Sequence, residues 1–169
     1  MKYQSISKWI IIIILLIEGT NLHGQDTWIS RSSFGGSARK GPVAFEAGGK
    51  AYIGTGFDGV YRKDFWEYDP ATDTWTQVSD LTGPARAYAT AFGINGKGYV
   101  ATGYNGGFLS DTWEYNPLTN TWASKSAFAG GARQGSTAMV IGDKAYVGMG
   151  FDGAYRKDFY EYNPTTSDI

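Results

Sequence analysis

Gly49-Lys50-Ala51-Tyr52-Ile53-Gly54-Thr55-Gly56 and, after a short loop, Asp64-Phe65-Trp66-Glu67-Tyr68-Asp69-Pro70-Ala71-Thr72-Asp73-Thr74-Trp75 decide how this chain folds, because the stretch recurs. Trp28, Trp75 and Trp122 stand 47 residues apart. The same interval relates Arg39, Arg86 and Arg133, then Lys50, Lys97 and Lys144, then Tyr52, Tyr99 and Tyr146. It continues through Gly56, Gly103 and Gly150, through Asp64, Asp111 and Asp158, and through Glu67, Glu114 and Glu161, with no gap anywhere. Gly48 to Thr72 and Gly142 to Thr166 agree at 18 of 25 positions, so the third unit is a near copy of the first. A fixed period of this size marks stacked supersecondary units, each too small to bury a core alone.

Within one unit the pattern reads as four strands. Val43-Ala44-Phe45 is short and apolar, and Gly48-Gly49 follows with the chemistry of a tight hairpin that needs positive φ. Ala51-Tyr52-Ile53-Gly54 forms the second strand. A glycine-bearing loop leads to Asp64-Phe65-Trp66-Glu67-Tyr68, whose alternation of apolar and polar residues fits a half-buried strand. Asp69-Pro70-Ala71-Thr72-Asp73 turns the chain into a fourth strand that carries Trp75. Stacking such units around an axis buries both faces of each sheet. The first strand belongs nearest the axis, where room is least, since it carries Ala44, Ala91 and Ala138. The tryptophans suit the wider spaces between units.

The set Arg, then Gly-Lys-Ala-Tyr-Ile-Gly-Thr-Gly, then Trp-Glu-Tyr-Asp-Pro-Ala-Thr-Asp-Thr-Trp resembles the kelch repeat. The resemblance covers residues 28 to 166 and implies an all-β, kelch-type β-propeller of about three four-stranded blades, with repeats at 28–74, 75–121 and 122–169. The family's Gly-Gly doublet after the second strand is reduced here to Gly54-Thr55-Gly56, Ala101-Thr102-Gly103 and Gly148-Met149-Gly150, so a different curl is expected at that strand end. Propellers need about four to eight blades. Thr27-Trp28-Ile29-Ser30 reads as a fourth strand without preceding partners, and the next Trp in register would fall at 169, which is Ile169. Two arrangements satisfy this phase: an incomplete ring that is the front part of a longer six- or seven-bladed protein, or half of a paired ring, a homodimer by strand exchange.

Lys2 and Lys8 precede the unbroken apolar run Trp9 to Ile17, which is ended by Glu18 and Gly19. Nine residues rise only about 14 Å as a helix, too little for a hydrocarbon core of about 30 Å. Residues 1–24 therefore read as a signal peptide ahead of residues 25–169, and the expected location is secreted, periplasmic or extracellular. The net charge is −1, from 15 basic and 16 acidic residues, which argues against a phosphate-backbone partner: no nucleic acid, and no membrane after signal removal. There is no Cys, which excludes disulfides and cysteine nucleophiles from this stretch. The one His, His23, lies inside the signal segment. The copper and Tyr–Cys chemistry of galactose oxidase, which belongs to the same superfamily, therefore has no counterpart here, and no cofactor is implied.

Loops on a rigid scaffold carry function. The loops between second and third strands resemble those of a kelch binding face. They read Phe57-Asp58-Gly59-Val60-Tyr61-Arg62-Lys63, Tyr104-Asn105-Gly106-Gly107-Phe108-Leu109-Ser110 and Phe151-Asp152-Gly153-Ala154-Tyr155-Arg156-Lys157. An aromatic ring beside Asp or Asn and Arg stacks on a sugar face and bonds its hydroxyls, or grips an acidic peptide. Candidate ligand contacts are thus Phe57, Asp58, Tyr61, Arg62, Tyr104, Asn105, Phe151, Asp152, Tyr155 and Arg156. The competing reading is that the aromatics pack the loop and the acid caps its turn. Arg39, Arg86 and Arg133 are added as a ring at a channel mouth that would attract carboxylates, against a structural role bonding carbonyls or an acidic side chain. Asp64, Asp111 and Asp158 read as turn caps, and Glu67, Glu114 and Glu161 as facing the adjacent strand or water. Every strand acid has copies, which speaks for architecture over the unique carboxylate pair of a glycosidase. The expected function is a binding or scaffold module for a protein or glycan. The alternatives are a portion of a kelch-type carbohydrate-active enzyme such as a sialic acid mutarotase, or a truncated fragment without function of its own.

Overall fold

The computed structural model describes residues 26–164. The expected signal peptide, residues 1–24, lies outside them. The described residues are all-β, with eleven strands in three antiparallel sheets that follow the 47-residue register. The first sheet is β1 (Val43–Ala47), β2 (Lys50–Gly54), β3 (Phe65–Asp69) and β4 (Thr74–Val78), in that spatial order. The second is β5 (Thr90–Ile94), β6 (Lys97–Tyr104), β7 (Phe108–Asn116) and β8 (Thr121–Lys125). The third has β9 (Thr137–Ile141), β10 (Lys144–Gly148) and β11 (Phe159–Tyr162), and its fourth strand would fall beyond the described residues.

Registers repeat from blade to blade. Tyr52 lies opposite Phe45 on one side and Glu67 on the other, as Tyr99 lies opposite Phe92 and Glu114. Each β1-to-β2 type turn uses the left-handed region, at Gly48 and Gly49 and at Asn95 and Gly96 (φ +53° and +71°), which matches the right-handed twist of the flanking strands.

The strands that begin each blade, β1, β5 and β9, pack against one another as the inner wall. Their approach is close: a Cβ on Gly93 would sit 1.9 Å from the Glu46 carbonyl oxygen, so only glycine fits there. Between the first and second blades the core gathers Val43, Phe45, Tyr52, Phe65, Leu81, Val100 and Tyr115, flanked by Trp113 and Trp122. The Trp122 ring lies 4.8 Å from Phe65 and 6.4 Å from Phe45, and its indole N–H donates to Ser79 O at 3.0 Å, so the tryptophan does fill the space between blades. Phe45 also explains Gly98, where a Cβ would meet its ring at 2.0 Å. Between the second and third blades Phe92, Ile94 and Tyr99 meet Ala145 and Val147.

Two expectations are corrected. Residues 26–30 carry no strand, and Trp28 and Ile29 are exposed. A strand is stabilised by a ladder partner, and this segment shows none. The reduced Gly-Gly doublet does not change the curl either. Thr55, Thr102 and Met149 take φ of +58°, +61° and +61°, the left-handed conformation a glycine would adopt without strain. Thr55 and Thr102 are fully buried, and their hydroxyls have no hydrogen-bond partner.

Candidate functional site

Each blade is locked by an arginine fork. Arg39 donates Nη1 to Asp64 Oδ1 at 2.5 Å and Nη2 to Oδ2 at 2.9 Å, and adds Thr55 O and Ser37 O. Arg86 makes the same set with Asp111 at 2.7 and 2.6 Å, Thr102 O and Pro84 O. Arg133 repeats it with Asp158 at 2.6 and 2.9 Å and Met149 O, and also donates to Gly130 O. The backbone carbonyls of Arg86 and Arg133 accept from Gly56 N and Gly103 N of the blade before, so the fork also registers neighbouring blades.

The arginine side chains are 3%, 0% and 1% exposed. An arginine closed inside the blade cannot form the open cationic ring anticipated at the channel mouth, and the structural alternative describes these three residues. The aspartates are likewise not turn caps. They are the fork's carboxylates, and Asp64 and Asp111 also accept from the indoles of Trp66 and Trp113. Burial opposes the charge on Asp111, but the Arg86 fork and the Trp113 N–H outweigh it and hold the carboxyl below its ordinary range.

Glu67, Glu114 and Glu161 face the adjacent strand. Glu114 accepts from Lys97 at 2.8 Å and from the Tyr99 hydroxyl at 2.6 Å, and the other two repeat the pattern with Lys50 and Tyr52 and with Lys144 and Tyr146. Burial, then the bond to Glu114, pushes the Tyr99 hydroxyl far above the usual tyrosine range. Burial first, then the Glu67 charge, pushes Tyr115 up to about 12.

The loops joining second to third strands lie on one side of the blades, and their rings form a line. Phe57 and Tyr61 are 5.0 Å apart, Tyr61 and Tyr104 6.2 Å, Tyr104 and Phe108 5.4 Å, Phe108 and Phe151 5.9 Å, and Phe151 and Tyr155 5.3 Å. Six rings thus run unbroken across three blades. The structure brings together five candidates named from the sequence and adds Phe108. The register could have found it, because Tyr61, Phe108 and Tyr155 occupy one repeat position while Phe57, Tyr104 and Phe151 occupy another.

Beside the rings, Arg62 Nε donates to both oxygens of Asp58 at 2.9 and 3.0 Å, and Arg156 Nε to both of Asp152 at 2.9 and 2.8 Å. Arg62, then the Ser37 hydroxyl at 2.5 Å, holds the Asp58 carboxyl far below its usual range; Arg156 lowers Asp152 in the same sense. Lys40 Nζ stands 5.5 Å from the Phe57 centroid. Asn105 carries no charge, and its backbone N–H closes its turn on Gly107 O. Loop packing and acid turns therefore exist as the competing reading held; Tyr155 is 90% exposed, while the other five rings are half-buried. Among the described residues no group of His, Cys, Asp or Glu could hold a metal ion.

Blades of four antiparallel strands, stacked by inner strands and locked by a repeated Arg–Asp fork, define a kelch propeller module. The Kelch motif model matches residues 38–82 and 85–126, and the chain belongs to that family. Among solved structures it is similar to that of YjhT, at 30% identity and a TM-score of 0.57, over 66% of this chain and 34% of that one. The chain thus spans about a third of the length of that structure. No curated protein matches it.

Proposed function

We propose that this chain is an exported recognition module, working within a larger ring, that binds a glycan along the six-ring line of its loop face. The continuity of those rings over three blades carries the reading. Aromatic faces take up the apolar C–H faces of sugar rings, and neighbouring polar groups bond the hydroxyls. The loop charges favour an uncharged ligand over an acidic peptide: Arg62 and Arg156 are each already matched by a carboxylate in the same loop. Export rests on the positively flanked apolar run Trp9 to Ile17.

A glycan array probed with the full chain tests this. Replacing Tyr61→Ala and Phe108→Ala together is expected to lower retention on the bound glycans at least tenfold, with the melting temperature changed by only a few degrees. Undiminished retention, or binding to immobilised proteins alone, overturns the reading.

A further inference from the structure

One position breaks the repeat where the backbone gives no reason for it. Gly41, Tyr88 and Gly135 are 47 residues apart, and each stands two residues before the inner strand that begins its blade, β1, β5 or β9. Their backbones are stitched together: Tyr88 N donates to Gly41 O at 2.9 Å, and Gly135 N donates to Tyr88 O at 2.8 Å. All three take the left-handed conformation, with φ of +62°, +55° and +64°. Glycine adopts it freely, whereas a bulky side chain there is a strained outlier. Two of the three repeats carry the unstrained residue. The tyrosine therefore contributes a ring and a hydroxyl that the turn itself does not need, and retained strain of this kind points to a site.

The ring is held in place. A Cβ on Gly41 would lie 2.7 Å from Tyr88 Cδ1, so the ring rests against the bare backbone of the first blade's turn. Yet Tyr88 remains 38% exposed. Its open side borders a cleft of about 410 Å³ between the second and third blades, walled by Gln134, Met149, Phe151, Tyr155 and Arg156. That volume suits a small ring-shaped ligand. Three aromatic rings supply apolar faces, and the Gln134 amide and Arg156 Nη groups supply polar contacts. Arg156 is charge-matched by Asp152 at 2.8 Å, so the wall offers no unbalanced charge to an anion.

We propose that Tyr88 is a specificity-determining residue and that this cleft is a subsite for one neutral pyranose ring. The inference deepens the glycan reading of the loop face and rests on it, because Phe151 and Tyr155 belong to both.

Saturation-transfer NMR with methyl β-glucopyranoside and methyl β-galactopyranoside, and with methyl β-glucuronide as the charged comparator, tests the proposal on the full chain. At least one neutral glycoside is expected to receive saturation on its ring protons, more strongly than the glucuronide. Tyr88→Gly restores the repeat residue, so it should fold with an equal or higher melting temperature and still lose the signal at least tenfold. A structural role for Tyr88 would not separate those two readouts. Tyr155→Ala, at an exposed position, should also weaken the signal, while Leu118→Ser, on the exposed turn between β7 and β8, should leave it within twofold. Signal preserved in Tyr88→Gly, preference for the glucuronide, or no neutral glycoside saturated at all overturns the subsite. If array binding depends on Tyr61 and Phe108 but not on Tyr88, the subsite falls and the glycan line stands. If Tyr88→Gly loses the glycoside while array binding survives the loss of Tyr61 and Phe108, the line over the first two blades falls and its third-blade end, Phe151 and Tyr155, remains with the subsite.

Discussion

The first and third blades are nearly the same sequence in two different environments. Phe65 and Phe159 occupy one repeat position, yet Phe65 is 1% exposed and Phe159 48%. At another position Phe45 is 6% exposed and Met139 49%. Their internal arrangement is shared. Each keeps its Arg–Asp fork, its Lys–Glu–Tyr contacts across the strands and its Asp–Arg loop pair. What differs is the neighbour. Rings and strands of the second blade cover the outer-facing residues of the first, while among the described residues nothing covers the same face of the third. A blade's hydrogen bonds are local property of its sequence, and its burial belongs to the stack.

The comparison can be broken most directly with a matched pair. Phe65→Ala should cost about 3–5 kcal/mol, as expected for removing a fully buried aromatic ring. Phe159→Ala should cost under about 1 kcal/mol in the same chain. Denaturant unfolding of both variants measures the contrast, and equal losses would mean that the third blade's face is covered in solution.

The fork comes next. Asp111→Ala leaves Arg86, whose side chain is 0% exposed, without its carboxylate, and about 3 kcal/mol of stability should be lost. A loss below about 1 kcal/mol would show that the carbonyls of Thr102 and Pro84 suffice for the guanidinium.

Acid should act on all three blades alike. The carboxyls of Asp58, Asp64, Asp111, Asp152 and Asp158 all lie below their ordinary values in the folded chain. A carboxyl with a depressed folded-state pKa contributes stability that is complete above its unfolded value of about 3.9 and is lost as pH falls toward the folded value. The melting temperature should therefore stay level from pH 7 to about pH 5 and fall below about pH 4. A decline that begins near pH 6 would assign the acid sensitivity to other groups.

The smallest effect contrasts two strained residues. Met149 is exposed, so Met149→Gly should raise stability by about 1 kcal/mol through relief of the left-handed conformation. Thr55 has the same conformation but is buried, so Thr55→Gly should gain less, because the contacts of its methyl group are lost. A larger gain at Thr55 would mean that its unpartnered hydroxyl costs more than the methyl contributes.

Much of this architecture is legible in the sequence. Strands, hairpin turns and blade boundaries follow from the register, because a strand's alternation and a glycine turn are local features. The loop aromatics were legible as candidates for the same reason. The role of Asp64 and its copies was not, because Arg39 lies 25 residues away in the chain and only the folded blade brings the fork together. The structural alternative for the three arginines was legible as bonds to carbonyls or an acidic side chain, but which acid each one meets is identified only by the fold. Tyr88 is not legible from the register, because its significance lies in the one copy that does not repeat.

By itself the sequence determined the repeat, the all-β class, the four-strand order of a blade and the residues presented on its loops. These depend on contacts within tens of residues and on backbone chemistry that each residue carries with it. Only the tertiary structure decided that the arginines close inward, that six loop rings meet in a line, and that a tyrosine in a glycine's turn borders a cleft. The fork joins residues 25 apart within one blade, while the ring line and the cleft arise where separate blades touch; in both cases proximity is set by packing, not by position along the chain.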